Sequence, residues 1–287
     1  MPSKNIKHSP YSRSEKLFVK WLEKELRGTG SGASYIRGLN INEVPSSGKG
    51  NRKRSVPSVT VLGRLIHLMS DLEYKVFRFF DLSKNVFDIR EQFPLDREVT
   101  LSIAEKLKIG HPSVTDYNTK EKIANWMTTD LLVDYLDNEG NKKQLAVYIK
   151  PAKDLKSSRN LQKLIIEYVY WQLKGVRFCI ITDNSFSKEV SRNLEFSGSF
   201  YDKQKLIDEM IPNLSVIEKH IASEIIATCS RIDLICESID HKLDIPPGDS
   251  LRAFYYMIGT RKIDVELSKV SVGPLTHSSF LQKSFLS

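Results

Sequence analysis

Cysteine is scarce in this chain of 287 residues. Cys179, Cys229 and Cys236 are an odd number, widely spaced and set in apolar runs. A disulfide framework is excluded, and the three read as buried, reduced thiols of a cytoplasmic protein. Long apolar runs are missing too: none approaches the roughly 20 residues a spanning helix needs. The first residues are polar and basic without an apolar centre, so neither membrane insertion nor secretion is expected. No second histidine or cysteine stands at zinc-ligand spacing from His111, which is therefore not read as a metal ligand. Residues 45–57, with Pro45-Ser46-Ser47-Gly48-Lys49-Gly50-Asn51-Arg52-Lys53-Arg54, lack the spacing of a nucleotide phosphate loop, and nucleotide hydrolysis is set aside.

What is present is a charge asymmetry. The net charge is +8, and residues 1–64 hold 13 Lys/Arg against 4 Asp/Glu, while the remainder holds 30 against 31. The basic excess belongs to the N-terminal quarter, where a polyanion such as double-stranded DNA is the economical partner. The Gly/Ser-rich segment with Lys49, Arg52, Lys53 and Arg54 reads as a flexible loop touching DNA backbone. A solvated surface is the plainer alternative.

The chain is long enough for one large or two ordinary domains. Residues 14–27 have a helical period through Leu17, Phe18, Trp21, Leu22 and Leu26. Residues 59–69 read as a strand, followed by a helix capped at Ser70-Asp71 and running to Phe80. Its buried face is expected from Leu72, Val76, Phe79 and Phe80, with Glu73 at the edge of that face. An acidic residue in a first turn is favoured by the helix dipole alone. A short strand follows at 86–90 and a helix at 97–109, then a polar loop to Trp126.

Residues 126–153 read as an antiparallel hairpin. Asp130-Leu131-Leu132-Val133-Asp134-Tyr135 and Leu145-Ala146-Val147-Tyr148-Ile149-Lys150-Pro151 flank a turn of Asp, Asn and Gly. Pairing brings Asp130 and Lys150 to one end, where a carboxylate beside a lysine fits a metal-dependent phosphodiester-cleaving site. From the hairpin alone, a salt bridge accounts for them better, since unpaired charge is expensive away from water. Residues 160–174 form an amphipathic helix carrying Glu167, which has Lys163 four residues before it as a surface partner. The apolar run 176–182 closes a strand–helix–strand crossover, hence a mixed sheet. Residues 1–183 make one α/β domain. Residues 184–287 make a second, mostly helical and winged-helix-like, with Pro246-Pro247-Gly248 as a hinge, a helix capped by Asp249 or Ser250, and a wing strand at 263–267.

Taken in order, Glu43-Val44-Pro45-Ser46-Ser47-Gly48, Ser70-Asp71-Leu72-Glu73, the run DIREQFPL at 88–95, His111-Pro112, Thr129-Asp130-Leu131-Leu132-Val133-Asp134, Lys150-Pro151 and Tyr170-Trp171-Gln172 resemble TnsA, the endonuclease subunit of heteromeric cut-and-paste transposases. The resemblance is specific over roughly residues 30–183. It implies a restriction-endonuclease-like (PD-(D/E)xK-type) fold and a Mg²⁺-dependent nuclease, with Mn²⁺ as a substitute. It implies Glu73, Asp130 and Lys150 as the catalytic trio, with the metal on Glu73, Asp130 and the carbonyl of Ile149. Tyr148 and Glu167 are secondary candidates. The implied reaction is hydrolysis at the 5′ ends of a transposon, alongside a DDE (TnsB-like) transposase and an AAA+ (TnsC-like) regulator docking on the C-terminal domain, in a bacterial cytoplasm at the nucleoid. One departure stands out: nucleases of this fold carry an acidic residue, or in TnsA a glutamine, where this chain has Tyr148, whose phenol is a poor metal ligand near neutral pH. Two other readings stay open, a restriction or defence nuclease of the same fold and a DNA-binding scaffold whose site has decayed.

Overall fold

A computed structural model describes residues 9, 11–45, 52–201, 214–263, 276, 278 and 281. The chain divides into two compact units, residues 1–80 with 85–184, and residues 81–84 with 185–287.

In the first unit, helix α1 (Glu15–Glu23) starts where the Ser14 hydroxyl accepts the Leu17 N–H at 3.1 Å. It buries Phe18 and Trp21 against Trp126, the two indole rings stacking at 5.5 Å. The helix stops earlier than its apolar period suggests, because Leu26 takes a left-handed φ of 50°. Arg27 then turns inward over the Trp21 ring and pairs with Glu43 at 2.7 Å, which leaves Leu22 and Leu26 about half exposed. The strand expected over residues 59–69 is shorter. Strands β1 (Arg54–Val56) and β2 (Ile66–Leu68) form a two-stranded ribbon. Between them the Ser58 hydroxyl accepts the N–H groups of Thr60 and Val61 and Gly63 has φ 88°, which turns the backbone instead of extending it.

Helix α2 (Asp71–Asp81) buries a face different from the expected one. Glu73, Val76, Phe77 and Phe80 recur at three- and four-residue steps and are buried, whereas Phe79 is 41% exposed. Glu73 thus lies within the buried face, not at its edge. Strand β3 (Val86–Pro94) runs on past the short segment expected, and helix α3 (Arg97–Lys106) follows under an Asp96 cap. The stretch to Trp126 is not all loop: β4 (Ser113–Thr115) pairs with β5 (Lys122–Ala124).

The hairpin forms as expected from β6 (Thr128–Leu136) and β7 (Lys142–Ile149). Asp137 closes its turn by accepting the N–H groups of Glu139 and Asn141, and Gly140 supplies φ 80°. Helix α4 (Ser158–Leu173) crosses over to β8 (Arg177–Ile181). The sheet order is β3-β6-β7-β8, antiparallel except for the parallel β7–β8 pair, so the sheet is mixed. Its core joins Leu132 and Ala146 to Ile103, Ala104, Ile166, Tyr170 and Trp171 of α3 and α4. Each large apolar side chain buried there contributes about 1.5–3 kcal/mol against exposure.

The second unit is helical: α5 (Lys188–Tyr201), α6 (Leu214–Ala227), α7 (Ile232–Leu243) and α8 (Asp249–Gly259). Its core gathers Ile217, Ile221, Ile225, Ile235, Ile239, Phe254 and Ile258. Neither Asp249 nor Ser250 caps α8. The carboxylate of Asp240, on α7, accepts the N–H groups of Gly248 and Ser250 at 2.7 and 2.9 Å. The wing strand expected at 263–267 lies, beyond Ile263, outside the described residues. The three cysteines form no disulfide with one another; Cys236 is buried as expected, Cys179 is half-buried, and Cys229 is exposed because it follows the end of α6 instead of facing the helical core.

Candidate active site

Strands β6 and β7 part at one end of the sheet. Their ladder runs only to Leu131 opposite Val147. Beyond it Tyr148 and Ile149 pair with Ile180 and Ile181 of β8, and the Lys150 N–H donates to the Ile181 carbonyl at 3.1 Å. Asp130 stands where the strands separate, and its Oδ2 accepts the Ile149 N–H at 2.7 Å.

The start of α2 delivers Glu73. Its N–H donates to the Ser70 hydroxyl at 3.1 Å, and its carboxylate accepts the Ser70 hydroxyl at 3.1 Å and the Met69 N–H at 2.8 Å. The Ser70 hydroxyl thus caps the helix while the Glu73 carboxylate is held by Ser70 and by the Met69 N–H ahead of it; Glu73 is only 8% exposed and close enough to feel the charges of Asp130 and Lys150. The structure therefore brings Glu73, Asp130 and Lys150 into one electrostatic neighbourhood. The salt-bridge alternative does not describe it, since among the described residues no ion pair joins Lys150 to either carboxylate.

Burial, then the charge of Asp130, raises the Glu73 carboxyl above the usual carboxylate range, against the Met69 and Ser70 hydrogen bonds and Lys150. Burial raises Asp130 as well, against the Ile149 N–H, Lys150 and the nearby Gln92 amide. Glu167 does not pair with Lys163 at the surface. It is 2% exposed, raised well above its usual range by burial and by Asp130, and its Oε1 has no hydrogen-bond partner. The helical phase of α4 turns Glu167 inward with Ile166 and Tyr170. Tyr148 is buried beside the Phe178 ring, and burial followed by the charges of Asp130 and Glu167 drives its phenol upward, so it stays neutral.

The residues present suit a hard divalent cation. Two buried carboxylates that repel one another, with a third carrying an orphaned oxygen nearby, are groups that a bound cation stabilises in their charged form. Among the described residues no three His, Cys, Asp or Glu side chains converge as a ready cage.

The basic segment is described from Arg52 onward. Lys49 lies outside the described residues. Lys53 Nζ donates to the carbonyls of Ile41 and Val44 at 2.8 and 2.7 Å, and Arg54 pairs with Asp71 at 2.6 Å over the Tyr74 ring. Arg52, its side chain 77% exposed, reaches the same Asp71 at 3.7 Å. Residues missed by sequence reasoning lie beside Lys150: Arg159 and Lys163 of α4, where burial and then the charges of Lys150 and Arg159 hold the Lys163 ammonium below its usual range. The run Lys150, Lys153, Lys156, Arg159, Lys163 against the single acid Asp154 was the available signal. Gln92, between Glu73 and Asp130, was also missed. His111 is tied to the Pro112 carbonyl and the Thr100 hydroxyl.

A mixed sheet with a crossover helix, opened at one end beside buried carboxylates, defines a restriction-endonuclease-like nuclease domain followed by a helical region. Residues 83–183 match the model of the TnsA-like endonuclease N terminal, and residues 187–267 that of the TnsA endonuclease C terminal. The chain is 36% identical over 214 residues to the Transposon Tn7 transposition protein TnsA of Escherichia coli, covering 74% of either chain. The chain belongs to the TnsA family of transposase endonuclease subunits. Asp130, Lys150 and Glu167 fall inside the first matched segment, and Glu73 lies ahead of it.

Proposed function

We propose that this endonuclease hydrolyses phosphodiester bonds at the 5′ ends of a transposon, with Glu73, Asp130 and Lys150 as its catalytic residues. The observation that carries the assignment is the meeting of two buried carboxylates and a lysine where β6 and β7 part. Glu73, Asp130 and the Ile149 carbonyl would hold Mg²⁺, or Mn²⁺ in its place. When bound, such a cation supplies Lewis acidity toward a phosphoryl oxygen. Lys150 orients the attacking water, helps remove its proton and offsets charge building on the phosphate. Tyr148, neutral and with a hydroxyl to donate, suits a hydrogen bond to a phosphate oxygen and not metal ligation. Glu167 positions Lys150 or a water from the floor of the site.

The DNA backbone runs over Lys153, Lys156, Arg159 and Lys163, with Arg52 as a further contact. The exposed cations of 153–159 support this path. A DDE transposase that cuts the 3′ ends and an AAA+ regulator engaging the C-terminal unit complete the reaction in this proposal. Cleavage of a transposon-end duplex with Mg²⁺, reconstituted with the partner transposase, tests it. Asp130→Ala and Lys150→Ala are expected to lower 5′-end cutting by at least about 100-fold. Parental cutting by both variants would remove the site assignment.

A further inference from the structure

Gln92 stands in the middle of β3 with a left-handed φ of 48°. Glu91 pairs with Leu131 and Phe93 with Thr129, so Gln92 lies across from Asp130. Its Nε2 donates to Glu73 Oε2 at 3.5 Å, and its place across from Asp130 sets the amide beside the second carboxylate. Its Oε1 accepts the Thr128 hydroxyl at 3.1 Å, which turns the two amide hydrogens toward the carboxylates. A side-chain amide carries two donors and no charge. It can therefore hold two repelling carboxylates together without occupying the place of a cation.

The backbone here is costly, since a left-handed residue that is not glycine costs on the order of 1 kcal/mol or more. It is held from outside the strand. The Gln92 carbonyl accepts the Gly38 N–H at 2.9 Å, and a Cβ on Gly38 would meet that carbonyl oxygen at 2.6 Å and Thr128 Cγ2 at 3.1 Å. A buried ion cluster steadies the preceding residue: Glu91 lies between Arg37 and Arg64 at 2.7 and 2.6 Å. Strain supported from three directions, at a residue bonded to one candidate metal ligand and across the ladder from the other, marks a residue kept for its position.

We infer that Gln92 is a positioning residue, anchored by Gly38 and Thr128, that holds Glu73 and Asp130 at the separation a single divalent cation requires. The inference rests on the proposal that those two carboxylates bind the metal. The test is calorimetric titration of the full chain with Mn²⁺ alone, together with circular dichroism. Gln92→Met, similar in length and without an amide, is expected to keep the parental spectrum and bind Mn²⁺ about ten-fold more weakly. Thr128→Val, isosteric and remote from the carboxylates, frees the amide to rotate and is expected to weaken binding about three-fold. It decides the matter should Gln92→Met fail to fold. Asp130→Ala is the control. If it binds Mn²⁺ as the parent does, the metal-site reading falls and this inference with it. If it loses Mn²⁺ while Thr128→Val and every folded Gln92→Met sample keep parental affinity, the positioning role alone is overturned.

Discussion

Glu73, Asp130 and Glu167 are carboxyl groups whose burial favours the protonated form, and the charge of Asp130 adds to this at the two glutamates. Unfolded, they titrate near 4. The folded chain therefore holds protons that the unfolded chain has released, and its stability falls as pH rises from the ordinary carboxylate range through the raised values. His67 works in the opposite sense. Burial and then Arg37 lower its imidazole to about 4, so folded stability rises with pH until the unfolded histidine has titrated near 6.5. Above pH 6.5 the histidine contribution is complete, and the raised carboxyl groups set the slope, joined near pH 8.5 by the buried thiols of Cys179 and Cys236. Metal-free protein is expected to melt several degrees lower at pH 8.5 than at pH 6.5, with added Mg²⁺ recovering the loss. Glu167→Gln should flatten that slope and raise stability at pH 8.5. Differential scanning calorimetry at the two pH values measures both effects, and an unchanged slope would contradict the account of Glu167.

At the scale of elements, two devices seat the site. The Ser70 hydroxyl closes the first turn of α2 and bonds the Glu73 carboxylate from the other side. Ser70→Ala should cost about 1 kcal/mol in urea unfolding, as lost caps do, and lower cleavage by more than its stability loss explains. Equal activity per folded molecule would confine Ser70 to capping. The second device is the Arg37–Glu91–Arg64 cluster, which ties the segment before β2 to β3; Glu91 is fully buried and also accepts the His67 N–H at 3.2 Å. Removing one partner of a buried charge leaves the other uncompensated. Arg64→Leu is therefore expected to destabilise by roughly 3 kcal/mol, read as a lowered denaturation midpoint. A change under 1 kcal/mol would show that Arg37 alone neutralises Glu91.

At the scale of the whole molecule, the placement of positive charge decides where DNA can lie. The sum over residues 1–64 is strongly positive, yet Arg27, Lys53, Arg54 and Arg64 are engaged with protein partners. Charge already matched inside the fold releases few counterions when DNA binds. Arg159→Ala with Lys163→Ala is expected to reduce the salt slope of duplex binding by about 1–2. Replacing Lys53 and Arg54 should leave the slope near parental and lower the melting temperature instead. Fluorescence anisotropy across a salt series distinguishes these, and the reverse pattern would return the DNA surface to the N-terminal loop.

Periodicity and turn chemistry determined the hairpin, the crossover helix and the mixed sheet, because local spacing of apolar residues and an Asp/Asn/Gly turn bias the backbone before any long-range contact forms. The order of short motifs around Asp130, Lys150 and Trp171 determined the family. The phase of α2 was less legible: with apolar residues all round, only packing chose Phe77 over Phe79 and drew Glu73 into the buried face. The same holds for Glu167, whose surface partner Lys163 was as good by spacing as the interior that claimed it. Gln92 had no local signal at all, since its left-handed backbone depends on Gly38, which is 54 residues away. Charge count suggested a basic N-terminal surface, and tertiary pairing neutralised much of it. Those decisions belonged to the tertiary structure, because burial and the pairing of charge are set by neighbours distant in the chain.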